Sequence, residues 1–316
     1  MTALLGQSMR DVFGQTVTEL ATDDPRIVVL DGDLASSTKA DVFERAHPER
    51  FLQMGIAEQN MMGVAAGLAT MGFIPFISTF VPFAVMRPLD QVRVLIAQTG
   101  LNVKITAGYA GLFTGMAGKT HQVVDDVSVM RAMPGMVTVS PADDIEARAV
   151  LRWAPTYDGP VYIRLVRDAT ARLFDDHYVF RFGESIIVRE GSDVTLISTG
   201  SQTPRVVQAA AILDAQGISA HVVHVPTIKP LDTAAIVAAA DRTGRVISIE
   251  EHTVIGGLGG AVAEVLSEQR PTRLDRIGLP DGFTESAPNA DLLDLYGLSP
   301  ERVAERVAVL LADAGR

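Results

Sequence analysis

Short runs of β-branched and apolar residues alternate along the chain with stretches of helical period. Ile27 to Leu30, Ile74 to Ser78, Val103 to Ala107, Met136 to Ser140 and Val161 to Leu165 predict strands. Between them, Ser8 with Asp11 three residues on marks the start of a helix to about Ala21. Glu58 to Met71 and Ala142 to Trp153 predict two more helices. Strand and helix in alternation imply a parallel sheet covered on both faces. From about Ala171 to Glu190 the rhythm breaks into a charged, aromatic stretch, which predicts a linker and the first strand of a second unit. The grammar then resumes, with strands at Val194 to Ser198, Ala220 to His224 and Arg245 to Glu250. The matching helices are Pro204 to Gln216, Thr233 to Ala240 and Gly260 to Glu268. The expected fold is α/β: two tandem domains, each a mainly parallel sheet flanked by helices, over residues 1–172 and 191–316 with a linker at 173–190. No close repeat or low-complexity segment supports a solenoid or a disordered arm.

Composition narrows the chemistry. With 316 residues, 47% hydrophobic and 21% charged, the chain can bury substantial cores. A net charge of -11 argues against nucleic acid or an anionic membrane as partner, so a bound phosphate would have to meet local arginines. No apolar run is long enough for a membrane helix, and Met1 to Asp11 has neither the basic start nor the apolar core of a signal peptide; a cytoplasmic location is expected. The absence of cysteine removes disulfides, thiol nucleophiles and thiolate metal sites. Catalysis then falls to carboxylate, histidine or a bound cofactor.

Gly55-Ile56-Ala57-Glu58-Gln59 opens a helix rich in glycine and alanine. A carboxylate in a first turn is accounted for by the positive helix end alone. The close-packed character of Gly63, Ala65, Ala66 and Gly67 places Glu58 beside buried surface, where an acid needs a partner. Phe80 and Phe83 follow Ser78-Thr79, read as a helix start, and would share one face; such pairs are equally plain core. Thr120-His121-Gln122 ends a glycine-lined loop after a strand, where α/β sheets hold ligands. Arg10, Arg164 and Arg167 are candidates to clamp an anion, or to form surface ion pairs. Asp31-Gly32-Asp33 suits a turn beside a ligand or a turn alone. Gly256-Gly257-Leu258-Gly259-Gly260 lacks the spacing of a dinucleotide fingerprint and reads as close helix packing.

Together these segments resemble the C-terminal half of transketolase, its pyrimidine-binding domain followed by its C-terminal domain. The marks are Gly-Ile-Ala-Glu-Gln at 55–59, Ser78-Thr79-Phe80 with Phe83, Gly118-x-Thr120-His121-Gln122, Leu165-x-Arg167, and Ile249-Glu250-Glu251-His252 with the glycines after it. The resemblance covers essentially the whole chain and implies thiamine diphosphate as cofactor, with contacts from Asp33, Ile56, Glu58, Phe80 and Phe83. Glu58 would bond the aminopyrimidine ring nitrogen and promote the tautomer that deprotonates the thiazolium. His121 would touch the donor's reacting end. Arg10, Ser37, Tyr109, Lys119 and Arg167 would surround the rest of the donor. Two departures imply an altered donor preference: Ala117-Gly118-Lys119 stands where related enzymes have Asp-Gly-x, and Tyr109 replaces a common histidine. The family's Gly-Asp-Gly with its asparagine, which binds magnesium and diphosphate, is not found, so metal ligands are expected on another polypeptide and none here. The implied molecule is the smaller subunit of a split transketolase, moving a two-carbon ketol unit from an anionic ketose to an aldose, in an assembly of two such subunits with two diphosphate-binding partners. The alternatives are a beta subunit of a 2-oxoacid dehydrogenase, a deoxyxylulose phosphate synthase-like enzyme, a non-catalytic scaffold subunit and, last, a dinucleotide-binding oxidoreductase.

Overall fold

A computed structural model describes residues 4–313. Seven strands form the larger sheet, in the order Thr227–Lys229, Val137–Val139, Val161–Arg164, Lys104–Gly108, Ile74–Phe80, Ile27–Asp31, Phe51–Gln53. All neighbours are parallel except the first pair. The five strands of the smaller sheet run Leu274–Leu279, Val246–Thr253, Val194–Ser198, Ala220–His224, Ile186–Arg189, and only the last is antiparallel. A short antiparallel pair, Leu5–Ser8 with Ala169–Ala171, closes the first unit.

The first helix spans Met9–Asp23, capped by Ser8, whose Oγ accepts the amide of Asp11. It buries Met9, Val12, Phe13, Val17 and Ala21 along one face, against the helix Asp144–Trp153. The strands at the sheet centre are buried on both faces, as a parallel sheet requires. Each fully buried Ile, Val or Phe there contributes about 1.5–3 kcal/mol. Two expectations are corrected. Ser78 and Thr79 do not start a helix: they continue the strand Ile74–Phe80, and the chain turns afterwards through a π-type turn over Pro82–Met86. The two units also share a sheet, because Thr227–Lys229 crosses from the second unit and covers the edge strand Val137–Val139 of the first. The aromatic character of the 171–190 segment has a packing cause. Phe180 meets Trp153 edge-on and Phe182 stacks on it, at 5.2 and 4.8 Å between ring centroids, and together they hold this segment on the first unit.

Lys104, fully buried, donates to the carbonyls of Tyr157 and Gly159 at 2.7 and 2.8 Å. Burial pushes its ammonium from 10.5 down to about 7. Between those values the unfolded chain keeps a proton that the folded chain has lost, so folding gains stability as pH rises from about 7. In Lys104→Met, urea midpoints measured at pH 7 and 9 should show a smaller rise than in the parent; an unchanged rise would rule this out.

Candidate active site

The strands of the larger sheet deliver Asp31, Gln53, Phe80, Gly108 and Arg164 to their carboxyl ends, the side on which open α/β sheets bind ligands. Asp31, fully buried, accepts from Ser78 Oγ at 3.0 Å, Gln53 Nε2 at 3.1 Å and the amide of Leu34 at 2.8 Å. It thereby ties three strand ends together under the site, and burial outweighs those bonds to raise its pKa.

Glu58 begins the helix Glu58–Thr70 and is only 2% exposed. Its Oε1 accepts from Arg87 Nη1 at 2.6 Å, while Oε2 takes no hydrogen bond among the described residues. Arg87 follows the π-type turn, and its guanidinium lies 4.3 Å from the Phe83 ring centroid. Phe83 and Phe80 are 6.1 Å apart and inclined by 20°. The His121 ring stands edge-on to both, at 6.2 Å from Phe80 and 5.4 Å from Phe83, with Nδ1 2.9 Å from Thr120 Oγ1. Three segments far apart in sequence therefore converge: the acid, the aromatic pair and the histidine. Ile56 is 74% exposed beside Glu58, and Asp33 presents its carboxylate to solvent from a turn held by Gln53 Oε1.

Beyond Phe80 the site becomes cationic. Tyr109 stacks on Phe80 at 3.8 Å, and its hydroxyl accepts from Arg10 Nη1 at 3.1 Å and donates to the Ser37 carbonyl at 3.2 Å. The Arg167 guanidinium lies 5.6 Å from the Tyr109 ring centroid. Tyr109 has φ 68°, a left-handed conformation costing a bulky residue about 1–3 kcal/mol, which these contacts hold in place. Around it opens a cavity of about 290 Å³ lined by Ser37, Phe80, Tyr109, Met116, Ala117, Arg167 and Asn289 among others. Lys119 stands outside it. Its ammonium is 3.9 Å from Glu285, and it lines a separate cleft with Asp125 and Phe283. Arg164 is not open to a ligand anion: 5% exposed, it is engaged with the Asp126 carboxylate at 2.7 Å. Arg87, Asp168 and Asn289 escaped the sequence reading, because no local pattern marks a residue whose partner is many positions away.

The geometry suits a flat heterocycle with a basic ring nitrogen: a half-buried aromatic wall, and a buried carboxylate with one oxygen unbonded by protein. The transketolase pyrimidine-binding domain family matches residues 6–172, and the transketolase C-terminal domain family matches 183–303. The chain belongs to the transketolase family. Its transketolase relatives include a putative transketolase C-terminal section of Methanocaldococcus jannaschii, 42% identical over 95% of both chains. A 6-deoxy-6-sulfo-D-fructose transketolase subunit of a Clostridium species is 41% identical over 93% of this chain and 92% of that one. Among solved structures, a split-gene transketolase described as an inactive beta4 tetramer has 45% identity and a TM-score of 0.90, over 97% of this chain and 99% of its own. Deoxyxylulose phosphate synthases also match, but the chain spans under half their length. Among the described residues no group of three or more His, Asp or Glu is arranged to hold a metal, and no helix is long and apolar enough to cross a membrane. In transketolase terms the acid, the aromatic pair and the histidine lie within the pyrimidine-binding unit, as do the residues lining the cationic cavity except Asn289, which among the described residues alone reaches it from the C-terminal unit. The glycines at 257 and 259 let a helix start close on Glu250, which accepts the amides of Leu258 and Gly259 at 2.7 and 2.8 Å.

Proposed function

We propose that this chain supplies the pyrimidine half of a thiamine diphosphate site that a diphosphate-binding partner subunit completes. The assembly, two of each subunit and cytoplasmic, moves a two-carbon ketol unit from an anionic ketose to an aldose. The observation that carries this reading is the buried Glu58 with its unbonded Oε2 beside the Phe80–Phe83 wall. When bound, thiamine diphosphate supplies the nucleophilic carbon and the electron sink for cleaving the bond beside a ketose carbonyl. Glu58 Oε2 holds or gives the proton at the pyrimidine nitrogen, while the phenylalanines keep water from that face. Asp33 and Ile56 face the same cofactor from the exposed rim. Because Thr120 engages His121 Nδ1, Nε2 is the nitrogen left for the donor's reacting end. Arg10, Ser37, Tyr109 and Arg167 hold the donor's anion, whereas Lys119, beside Glu285 and outside that cavity, takes no part in holding it. A guanidinium pair suits a phosphate and a sulfonate alike, and one relative is named for a sulfonated sugar. Magnesium ligands are assigned to the partner.

Co-expression with a partner carrying the Gly-Asp-Gly and asparagine pattern, assayed with thiamine diphosphate and magnesium, should give ketol transfer, and the isolated chain should give none. The name of the inactive beta4 neighbour is consistent with that dependence. Turnover by the isolated chain overturns the split site. A complex that oxidatively decarboxylates a 2-oxoacid but transfers no ketol group overturns the reaction.

A further inference from the structure

We infer that Asn289, which the second unit contributes to the cavity, is a positioning residue that sets specificity for an anionic donor by controlling Asp168 and through it Arg167. The inference rests on the anion reading given above. Arg167 is followed directly by a carboxylate that competes with any ligand anion for the same guanidinium. Asp168 divides its oxygens: Oδ1 lies 3.4 Å from Arg167 Nη1, a loose contact, and Oδ2 accepts from Asn289 Nδ2 at 3.0 Å. The remaining bonds of the Asn289 amide fix its orientation, since Oδ1 accepts the amide of Gly115 at 3.0 Å and Nδ2 also donates to the Phe113 carbonyl at 3.3 Å. This orientation depends on Gly115, where a side chain would begin 2.8 Å from Asn289 Oδ1 and 2.2 Å from the Ala287 carbonyl. Asn289 thus draws the acid aside with a neutral donor, leaving Arg167 free to meet an anion. Without that donor, Asp168 closes on Arg167 and removes a cation from the site.

The test uses the complex with its partner subunit, and compares xylulose 5-phosphate with uncharged erythrulose as donors. Asn289→Ala should raise KM for xylulose 5-phosphate about tenfold, with kcat and the erythrulose KM close to the parent. Asn289→Asp, which sets a second carboxylate against Asp168, should raise it further, and Asp168→Asn in the same chain should restore it by exchanging donor and acceptor. Equal losses on both donors, as from a loosened 113–115 loop, or no change on either, overturn the inference; so does a double variant no better than Asn289→Asp. Arg167→Ala separates the two levels of argument. If it too leaves the xylulose 5-phosphate KM unchanged, the anion reading itself falls; if it raises that KM while Asn289→Ala does not, only the role of Asn289 falls.

Discussion

Glu58→Gln in the reconstituted complex should lower kcat by about 10²–10⁴-fold, the range over which a positioned acid–base group acts. The amide keeps the shape of the side chain and can still accept from Arg87 at the Oε1 position, so the buried start of the helix Glu58–Thr70 need not rearrange. What it loses is the ability to hold a proton at the second oxygen. The substitution also weakens the bond to a ring nitrogen, so cofactor affinity, followed by quenching of intrinsic fluorescence on titration with thiamine diphosphate, should fall. A complex with kcat within threefold of the parent would end the assignment of Glu58 and favour a scaffold role. Arg87 sharpens the expectation. A carboxylate this deeply buried is held by one cation on the rim of the aromatic wall, so Arg87→Ala should impair the same step by leaving Glu58 unpaired, whereas a surface arginine would be silent.

The sequence carried the strands and most helices because parallel strands buried on both faces read as short continuous apolar runs, and helices between them keep their period. Ile27–Asp31, Val194–Ser198 and Ala220–His224 lie within a residue of the expected positions. Ser78 and Thr79 misled: their hydroxyls mimic a helix cap, yet Ser78 Oγ bonds Asp31 and Thr38 across neighbouring elements, which no local pattern reports. The crossing strand Thr227–Lys229 is too short to carry an alternation of its own. Within the site, Glu58, Phe80, Phe83 and His121 were legible because each sits in a distinctive local motif. Arg87 and Asn289 were not, because their significance lies in partners 29 and 121 positions away. Arg164 was legible as a cation but not as a buried one, since the acid that claims it lies 38 positions earlier in another element.

That buried arginine gives the largest expected effect on stability. Arg164 donates to both oxygens of Asp126, at 2.7 and 3.2 Å, and to the Glu251 carbonyl of the second unit at 3.1 Å, while Tyr162 donates to Asp126 at 2.6 Å. Burial by itself would raise the Asp126 carboxyl, but Arg164 and then His252 override it and hold it below the usual range. Arg164→Leu removes the compensating charge and strands a fully buried carboxylate, a loss of about 3–5 kcal/mol that thermal melting should register as a fall of roughly 5–10 °C. The pH dependence has a definite sign. In the parent, a depressed folded-state pKa stabilises the fold above the ordinary carboxylate range, and that stabilisation is lost as pH falls through the folded value. In the variant, burial is opposed only by His252 and the Tyr162 bond and raises the same carboxyl relative to the parent, so acidification protonates Asp126 and relieves part of the defect. The gap between parent and variant should therefore narrow from pH 7 toward pH 4. Adding Asp126→Asn should recover stability at pH 7, because it removes the charge that Arg164→Leu leaves unpaired. A single variant melting within 2 °C of the parent, or a double variant no more stable than the single one, would mean that this ion pair does not stabilise the fold.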